Sequence, residues 1–365
     1  MSDFAWRRFA FVFIVIGLAA AAALGAGGAT ARVTGNWFNA YSLASDGPAV
    51  TAPLADPSLV NGWGLSAGPT TPWWTANNKT NTSTLYSGAG AKSNLTVSVP
   101  GGPTGTVFNG NAAAFLVTQN GKSAAARFLF ATEAGTILGW SPAVNGTAAV
   151  TAVDRSAQGA HYDGLTTLND RLYAADFRNA RVDVFDSTFA PVSLTNGFKD
   201  AQIPSGWAPF GIQAINGNIF VTYAKQDSAK TDAVAGGGLG YVDEYTPDGA
   251  LVARVAKRGL PKAPLNAPWG LAMAPSDFGG FSGDLLVGNF GNGKISAYQP
   301  PAGGGSGKWT YKGQLRIATG AIIKIEGLWA IAFGNGGATG PTNHLYFLSG
   351  PSGETHGLFG VIAVG

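Results

Sequence analysis

Residues 61 to 69 read NGWGLSAGP, and Gly64, Ser66 and Gly68 within them satisfy G-x-S-x-G. In one large class of hydrolases that spacing sets a serine nucleophile on a sharp strand-to-helix turn. Such a serine needs a base. The chain has three histidines, His161, His344 and His356, none at a close metal-ligand spacing such as H-E-x-x-H. His161 stands two residues before Asp163, near enough to act as a general base beside a carboxylate. A histidine at the surface or at a strand edge is the reading favoured here. Asp243-Glu244 forms an acidic pair that reads as the solvated face of a strand. The Asn-x-Ser/Thr triplets at Asn78, Asn81, Asn94 and Asn145 match glycosylation acceptors, a short pattern that chance supplies readily in a chain rich in Asn and Thr. With no cysteine, thiolate catalysis, disulfides and sulfur-ligated zinc are excluded.

The element that carries Ser66 decides its chemistry, and that element repeats. Gly62-Trp63-Gly64-Leu65 recurs as Pro103-Thr104-Gly105-Thr106, Tyr162-Asp163-Gly164-Leu165, Pro209-Phe210-Gly211-Ile212, Pro268-Trp269-Gly270-Leu271 and Leu328-Trp329-Ala330-Ile331. Roughly 40 to 60 residues separate successive copies, the length of a four-stranded blade with variable loops. Each copy precedes a second run rich in aromatic and β-branched residues, such as Trp73 to Ala76, Leu172 to Ala175 and Leu345 to Leu348. Third runs follow, including Thr136 to Trp140 and Arg181 to Phe185. Short runs of this kind bounded by Gly, Asn and Asp are antiparallel strands and turns. The fold class is therefore all-β, and six radial repeats predict a six-bladed β-propeller. Small residues at 64, 105, 164, 211, 270 and 330 fit inner strands that crowd around an axis. The last repeat has room for only three strands, so the run Trp37 to Leu43 is expected to complete it and close the ring, removing an exposed sheet edge.

On that frame Ser66 falls inside the first strand of a blade rather than on an elbow, and Pro69-Thr70-Thr71-Pro72 cannot form the interior of a helix. Its counterparts two places beyond the small residue are Val107, Thr166, Gln213, Ala272 and Ala332, so the repeat requires no hydroxyl there. The residues just before the small position form a more suggestive set: Trp63, Thr104, Asp163, Phe210, Trp269 and Trp329. A second set closes the second strands at Asn77, Glu133, Asp176, Tyr223, Asn289 and Ser349. Antiparallel geometry returns the second set to the face where the first begins, with Glu326 close by. Trp63, Asp163, Phe210, Trp269 and Trp329 then line one channel mouth as ligand-binding residues, an aromatic wall with few polar groups. The same tryptophans can instead fill the channel and seal the core. Asn77, Glu133, Asp163, Asn289 and Glu326 match in type the oxygen donors that calcium takes. Some propeller lactonases use such a central metal to polarise an ester and activate water. Against this, Asp and Asn at strand ends commonly satisfy their own turns, Asp176 above all.

Composition sets limits on partners and place. Charged residues are 12% of the chain and glycines number 54, a balance that suits turn-rich β structure and excludes disorder. Basic residues are scattered, with Lys257-Arg258 among the densest pairs, so no nucleic-acid stripe is present despite a net charge of +3. At the N-terminus Arg7 and Arg8 precede an apolar run from Phe9 to Leu24 and a small-residue stretch ending Ala29-Thr30-Ala31. This is the pattern of a secretory signal peptide cut after Ala31, and the alternative is an uncleaved anchor. The expected organisation is residues 1–31 as signal peptide and residues 32–365 as a single propeller domain. It predicts an exported, periplasmic or extracellular monomer, free of the membrane after cleavage.

Asn61-Gly62-Trp63-Gly64, Asn266-Ala267-Pro268-Trp269-Gly270, Pro103-Thr104-Gly105, Phe130 to Ile137 and Gly357-Leu358-Phe359-Gly360 together resemble an uncharacterised family of exported bacterial propeller proteins related in pattern to NHL-repeat propellers. The resemblance runs from about residue 36 to the C-terminus. It implies fold and export and transfers no activity or catalytic residue. Two functions are expected from the residues: a binding propeller that takes a small molecule, glycan or protein partner at the channel mouth, or a calcium-dependent lactonase or esterase. The absence of a compact acid, base and nucleophile favours binding.

Overall fold

A computed structural model describes residues 37–257, 264–305 and 307–365. The expected signal peptide and its cleavage site lie outside the described residues. Among the described residues, helix is confined to two 3-10 turns and the four-residue turn Pro351–Glu354. Six sheets radiate from a common axis, each innermost strand being one copy of the sequence repeat. In blade 1, Gly62–Ser66 lies innermost, followed outward by Trp73–Asn77, Thr82–Tyr86 and Lys92–Ser98. The innermost strands of blades 2 to 6 are Pro103–Phe108, Tyr162–Leu168, Trp207–Ile215, Pro268–Met273 and Leu328–Phe333. Blade 3 has three strands, and blade 2 carries an extra hairpin, Leu116–Gln119 with Lys122–Ala125.

Ring closure follows the expectation from the sequence. Phe38–Ser45 pairs antiparallel with Leu358–Val364, from Phe38 opposite Val364 to Ser45 opposite Leu358. The first described strand thus becomes the fourth strand of the last blade, with the short strand Leu54–Ala55 outside it, joining the two ends of the ring through a ladder rather than through loops. Phe38 is fully buried there, its ring centroid 4.8 Å from that of Phe278.

One irregularity recurs in all six blades and places the residues of interest. Between Gly62, opposite Asn77, and Leu65, opposite Thr75, two residues of the inner strand face one of the second strand. The same register shift falls at Thr104-Gly105, Asp163, Phe210-Gly211, Trp269-Gly270 and Trp329-Ala330. A bulge of this kind bends the strand and re-aims a side chain. Here it turns the first residue of each pair toward one end of the axis and presses the second against the next blade. A Cβ built on Gly105 would sit 2.5 Å from the Leu165 amide nitrogen, and one on Gly270 would sit 2.5 Å from the Trp329 carbonyl oxygen. Neighbouring inner strands therefore touch backbone to backbone, and five of the six joints require glycine.

Candidate functional site

The six first-set residues do gather at one mouth, and the aromatic ones close it. Trp63 stacks on Trp329 with ring centroids 3.7 Å apart, and Phe290 stacks on Trp329 at 4.0 Å. Trp269 meets both tryptophans edge-on at 6.4 and 6.0 Å, and Phe210 meets Trp329 at 5.8 Å. Trp63, Phe210 and Trp329 retain only 4%, 2% and 2% of their accessible surface, while Trp269 is half-buried. Aromatic pairs in edge and offset contact add about 1 kcal/mol each beyond the area they bury. Of the two readings of the tryptophans, the packing corresponds to a plug. Thr104, the small member of the set, ties neighbouring blades together by donating to the Tyr162 carbonyl at 2.7 Å.

Hydrogen bonds fix the plug to the rim. Trp329 Nε1 donates to Asn61 Oδ1 at 2.8 Å, and Asn61 Nδ2 donates to Glu354 Oε2 at 2.8 Å and to Asn78 Oδ1 at 3.3 Å. Trp269 Nε1 donates to the Asp163 carbonyl at 2.9 Å. Beneath the plug Asp163, 1% exposed, lies with Oδ1 3.2 Å from His161 Nε2. Neither Asp163 carboxylate oxygen receives an aligned hydrogen bond among the described residues. Burial pushes this carboxyl up to about 7, with His161 offsetting only part of the cost. Burial disfavours the His161 imidazolium, but the Asp163 carboxylate outweighs it and the histidine is raised too. His161 is therefore a buried partner of Asp163, correcting the expected surface or strand-edge position. The sequence signal was its place two residues before an inner-strand bulge, which turns it inward with Asp163.

Of the metal-type residues Glu133 comes within electrostatic range of Asp163, but the five do not form one ligand cluster. Asn77 Nδ2 donates to Thr82 and Thr84 within its own blade. Asn289 accepts from the Asn266 amide and donates to the Lys294 carbonyl, closing its own turn. Glu326 accepts from the Ser352 amide at 3.0 Å. Glu133 is not the counterpart of Asn77, because the residue opposite Pro103 is Thr132, and Glu133 sits one place further on at the rim. Among the described residues no three His, Asp or Glu side chains are placed to share an ion. Asp176 accepts from Asn179 Nδ2 at 2.7 Å and from the His161 amide at 3.1 Å, the local role that its turn suggested. Asp243 and Glu244 are buried rather than solvated, a second correction. Tyr245 donates to Asp243 at 3.1 Å, Asn218 Nδ2 to Glu244 at 2.6 Å, and burial between blades pushes Asp243 up to about 7. An acidic pair in a strand reads as a solvated face, but blade-on-blade packing buries both faces.

The open space lies at the other end of the axis. A cavity of about 620 Å³ is lined by the far ends of all six innermost strands. Its inner ring includes Ser66, Val107, Thr166, Gln213, Ala272 and Ala332, the positions two places beyond the small residue in each repeat. At the waist of the channel a void of about 30 Å³ remains between the glycine joints, room for about one water. The axis is thus closed by the plug at one mouth and open as a cup at the other. Ser66 Oγ lies in the cup, 3.3 Å from Thr106 Oγ1. Among the described residues no histidine or carboxylate lines the cup, so none of them is placed as a base for Ser66, in line with its place in a strand. The loop after Leu328–Phe333 forms one wall, held by Asn335 Nδ2 donating to the Gly68 carbonyl at 3.0 Å and Trp73 Nε1 donating to the Thr339 carbonyl at 3.1 Å.

The fold and these two mouths define the class: a closed six-bladed β-propeller with one mouth sealed by aromatics and the other hollow. No family model matches the chain. Three proteins of Acanthamoeba polyphaga mimivirus are related in sequence. Uncharacterized protein R648 is 31% identical over 291 residues, covering 76% of this chain and 69% of that one. Uncharacterized protein L690 is 30% identical over 314 residues, covering 82% and 80%. The chain belongs to the family of R648 and L690. Uncharacterized protein R640 is 33% identical over 233 residues, and the match spans 63% of this chain but 42% of R640. These relatives are viral, so they lend nothing to the bacterial origin that the sequence resemblance implied. Among solved structures, the apo soluble aldose sugar dehydrogenase of Escherichia coli superposes with a TM-score of 0.53 at 12% identity, covering 90% of this chain and 100% of that one. A glucose dehydrogenase gives 0.50 at 12% identity, covering 90% and 99%. At such identity the likeness is one of fold alone.

Proposed function

We propose that the chain is a binding propeller that takes a small molecule in the cup at the open mouth. The observation that carries this reading is the 620 Å³ cavity to which all six innermost strands contribute. Its volume falls within the range of small-molecule sites, and its lining mixes apolar walls with a few polar groups as such sites do. A concave site of this depth favours a small molecule over a protein partner or an extended glycan. The aromatic mouth, the site expected from the sequence, supports binding less well because its tryptophans pack on one another.

Export to the periplasm or the cell exterior belongs to the same proposal and rests on Arg7, Arg8 and the apolar run after them. Among the described residues no helix is long and apolar enough to cross a membrane. A monomer suits a ring that closes on itself, and the scattered basic residues argue against nucleic acid as a partner.

A small-molecule screen by thermal shift tests the site. Ala332 is half-buried on the cup wall. Ala332→Trp is expected to abolish the shift given by a true ligand, and Trp269→Phe at the plugged mouth to leave it unchanged. Ligands whose shift survives Ala332→Trp and disappears in Trp269→Phe would move the site to the other mouth and sink the proposal.

A further inference from the structure

Charge is distributed unequally between the two mouths. The plugged mouth carries Glu354 and Asp163 with Glu133 and Asp232 close enough to act on both, Arg178 close enough to act on His161, and Lys79 close enough to act on Glu354. In the cup, by contrast, none of the described lining residues is ionisable. The chain as a whole is 12% charged, and strand ends at a ring mouth are solvent-facing positions where charged side chains are at home. All six innermost strands nevertheless end in neutral residues at this mouth, and charged groups near it, the Asp170-Arg171 turn and Arg127 5.6 Å from the Phe108 ring centroid, stand outside the lining.

Several polar groups of the cup are already engaged by the protein. Thr166 Oγ1 accepts from the Ala214 amide at 3.0 Å, Thr339 Oγ1 accepts from the Asn335 amide at 2.8 Å, and Asn335 itself ties the wall loop together. Gln213 is exposed in the cup and its side-chain amide makes no hydrogen bond within the described residues. Ser66 and Thr106 share one hydrogen bond and keep a second hydroxyl hydrogen to offer. What remains for a ligand is therefore a small set of uncharged donors and acceptors in an apolar wall. An ionised group brought into such a cup loses water and meets no counter-charge among the described lining residues, a cost that a neutral hydroxyl or carbonyl avoids.

Resting on the reading of the cup as the binding site, we infer that its ligand is an uncharged amphipathic small molecule, selected against anions and cations by the absence of any partner for their charge. The test uses two fluorescent probes that share an anilinonaphthalene skeleton and differ by one sulfonate: neutral N-phenyl-1-naphthylamine and anionic 8-anilino-1-naphthalenesulfonate. The neutral probe is expected to bind saturably at one site, and the anionic probe at least tenfold more weakly. Gln213→Lys places a cation in the same wall and is expected to reverse that order. Ala332→Trp is expected to remove binding of the neutral probe. Should that variant fail to fold by circular dichroism, Gln213→Trp blocks the cup from an exposed position. If the neutral probe does not bind the wild type, or binds Ala332→Trp and Gln213→Trp unchanged, the cup is not the site. If both probes bind the wild type equally and both are lost on blocking, the cup stands as a site and the selection for uncharged ligands is overturned.

Discussion

Gly211→Ala tests the backbone-to-backbone contact on which the ring depends. A Cβ at residue 211 would fall far inside van der Waals contact with the Trp269 carbonyl oxygen, 2.8 Å from its carbonyl carbon and 3.0 Å from its Cα. All three are backbone atoms of the next innermost strand, so no side chain can rotate away. Relief requires blade 4 and blade 5 to separate, and in a closed ring that displaces the neighbouring joints and the tryptophan plug above them. Overpacking a tight core typically costs 1 to 3 kcal/mol, and a clash with fixed backbone belongs at the top of that range, about 3 kcal/mol or more. Two controls grade the argument. Gly164→Ala meets the Phe210 carbonyl oxygen at 2.9 Å and is expected to cost less. Ala330→Gly, at the one joint that accommodates a methyl group, is expected to cost roughly 1 kcal/mol, from added chain entropy and a lost methyl group. Urea unfolding followed by tryptophan fluorescence gives the ranking. A Gly211→Ala midpoint equal to that of the wild type, or an Ala330→Gly variant less stable than Gly211→Ala, would refute the reasoning.

Other perturbations follow from the same geometry. Asp163, raised from 3.8 to about 7, and His161, also raised, hold protons more tightly folded than unfolded. The Asp163 contribution is complete below pH 3.8 and is lost as pH rises to about 7, and the His161 contribution is lost above pH 6.5. Asp243, also raised to about 7, acts in the same direction. Asp56, whose burial is outweighed by Lys92 and Tyr86, and Asp200, whose burial is outweighed by Arg254, act oppositely and lose stability as pH falls below 3.8. Melting temperature is therefore expected to decline from pH 5 to pH 8, with a shallower slope in Asp163→Asn; an unchanged slope would contradict the assignment. Phe38→Ala empties a fully buried site in the closing strand and is expected to cost about 3 to 5 kcal/mol in chemical denaturation, whereas a cost under 1 kcal/mol would mean that the strand does not hold the ring. Calcium is expected to leave the melting temperature unchanged and to be absent at stoichiometric level from purified protein by elemental analysis; a stoichiometric ion whose removal destabilises the protein would restore the hydrolase reading.

The repeat was legible because it rests on local chemistry. Only glycine or alanine fits at 64, 105, 164, 211, 270 and 330, so backbone crowding writes itself into the chain at every blade. The closing strand was legible for a related reason, since a blade with three runs and an unused run near the other end of the chain have one mutual solution. Glu133 was harder to place, because the repeat pattern alone does not fix a one-residue difference in register, and pairing of Pro103 with Thr132 rather than Glu133 decides which side chain ends the strand. Asp243 and Glu244 read as solvated because an acidic pair usually faces water, and nothing local to the strand reports the second blade packed over it.

The chain by itself determined six blades, their order, the closing strand and the identity of the residues at each end of the inner strands. Which mouth is open was decided only by tertiary structure. The sequence places Trp63, Trp269 and Trp329 at one mouth, but whether three indoles line a cavity or fill it depends on the ring's diameter and on how the bulges tilt them into mutual contact. Ser66 and its counterparts Val107, Thr166, Gln213, Ala272 and Ala332 were visible as a set with no common chemistry. Their importance comes from that absence: six uncharged side chains, five of them short, on converging strands leave a volume that no single stretch of sequence encloses.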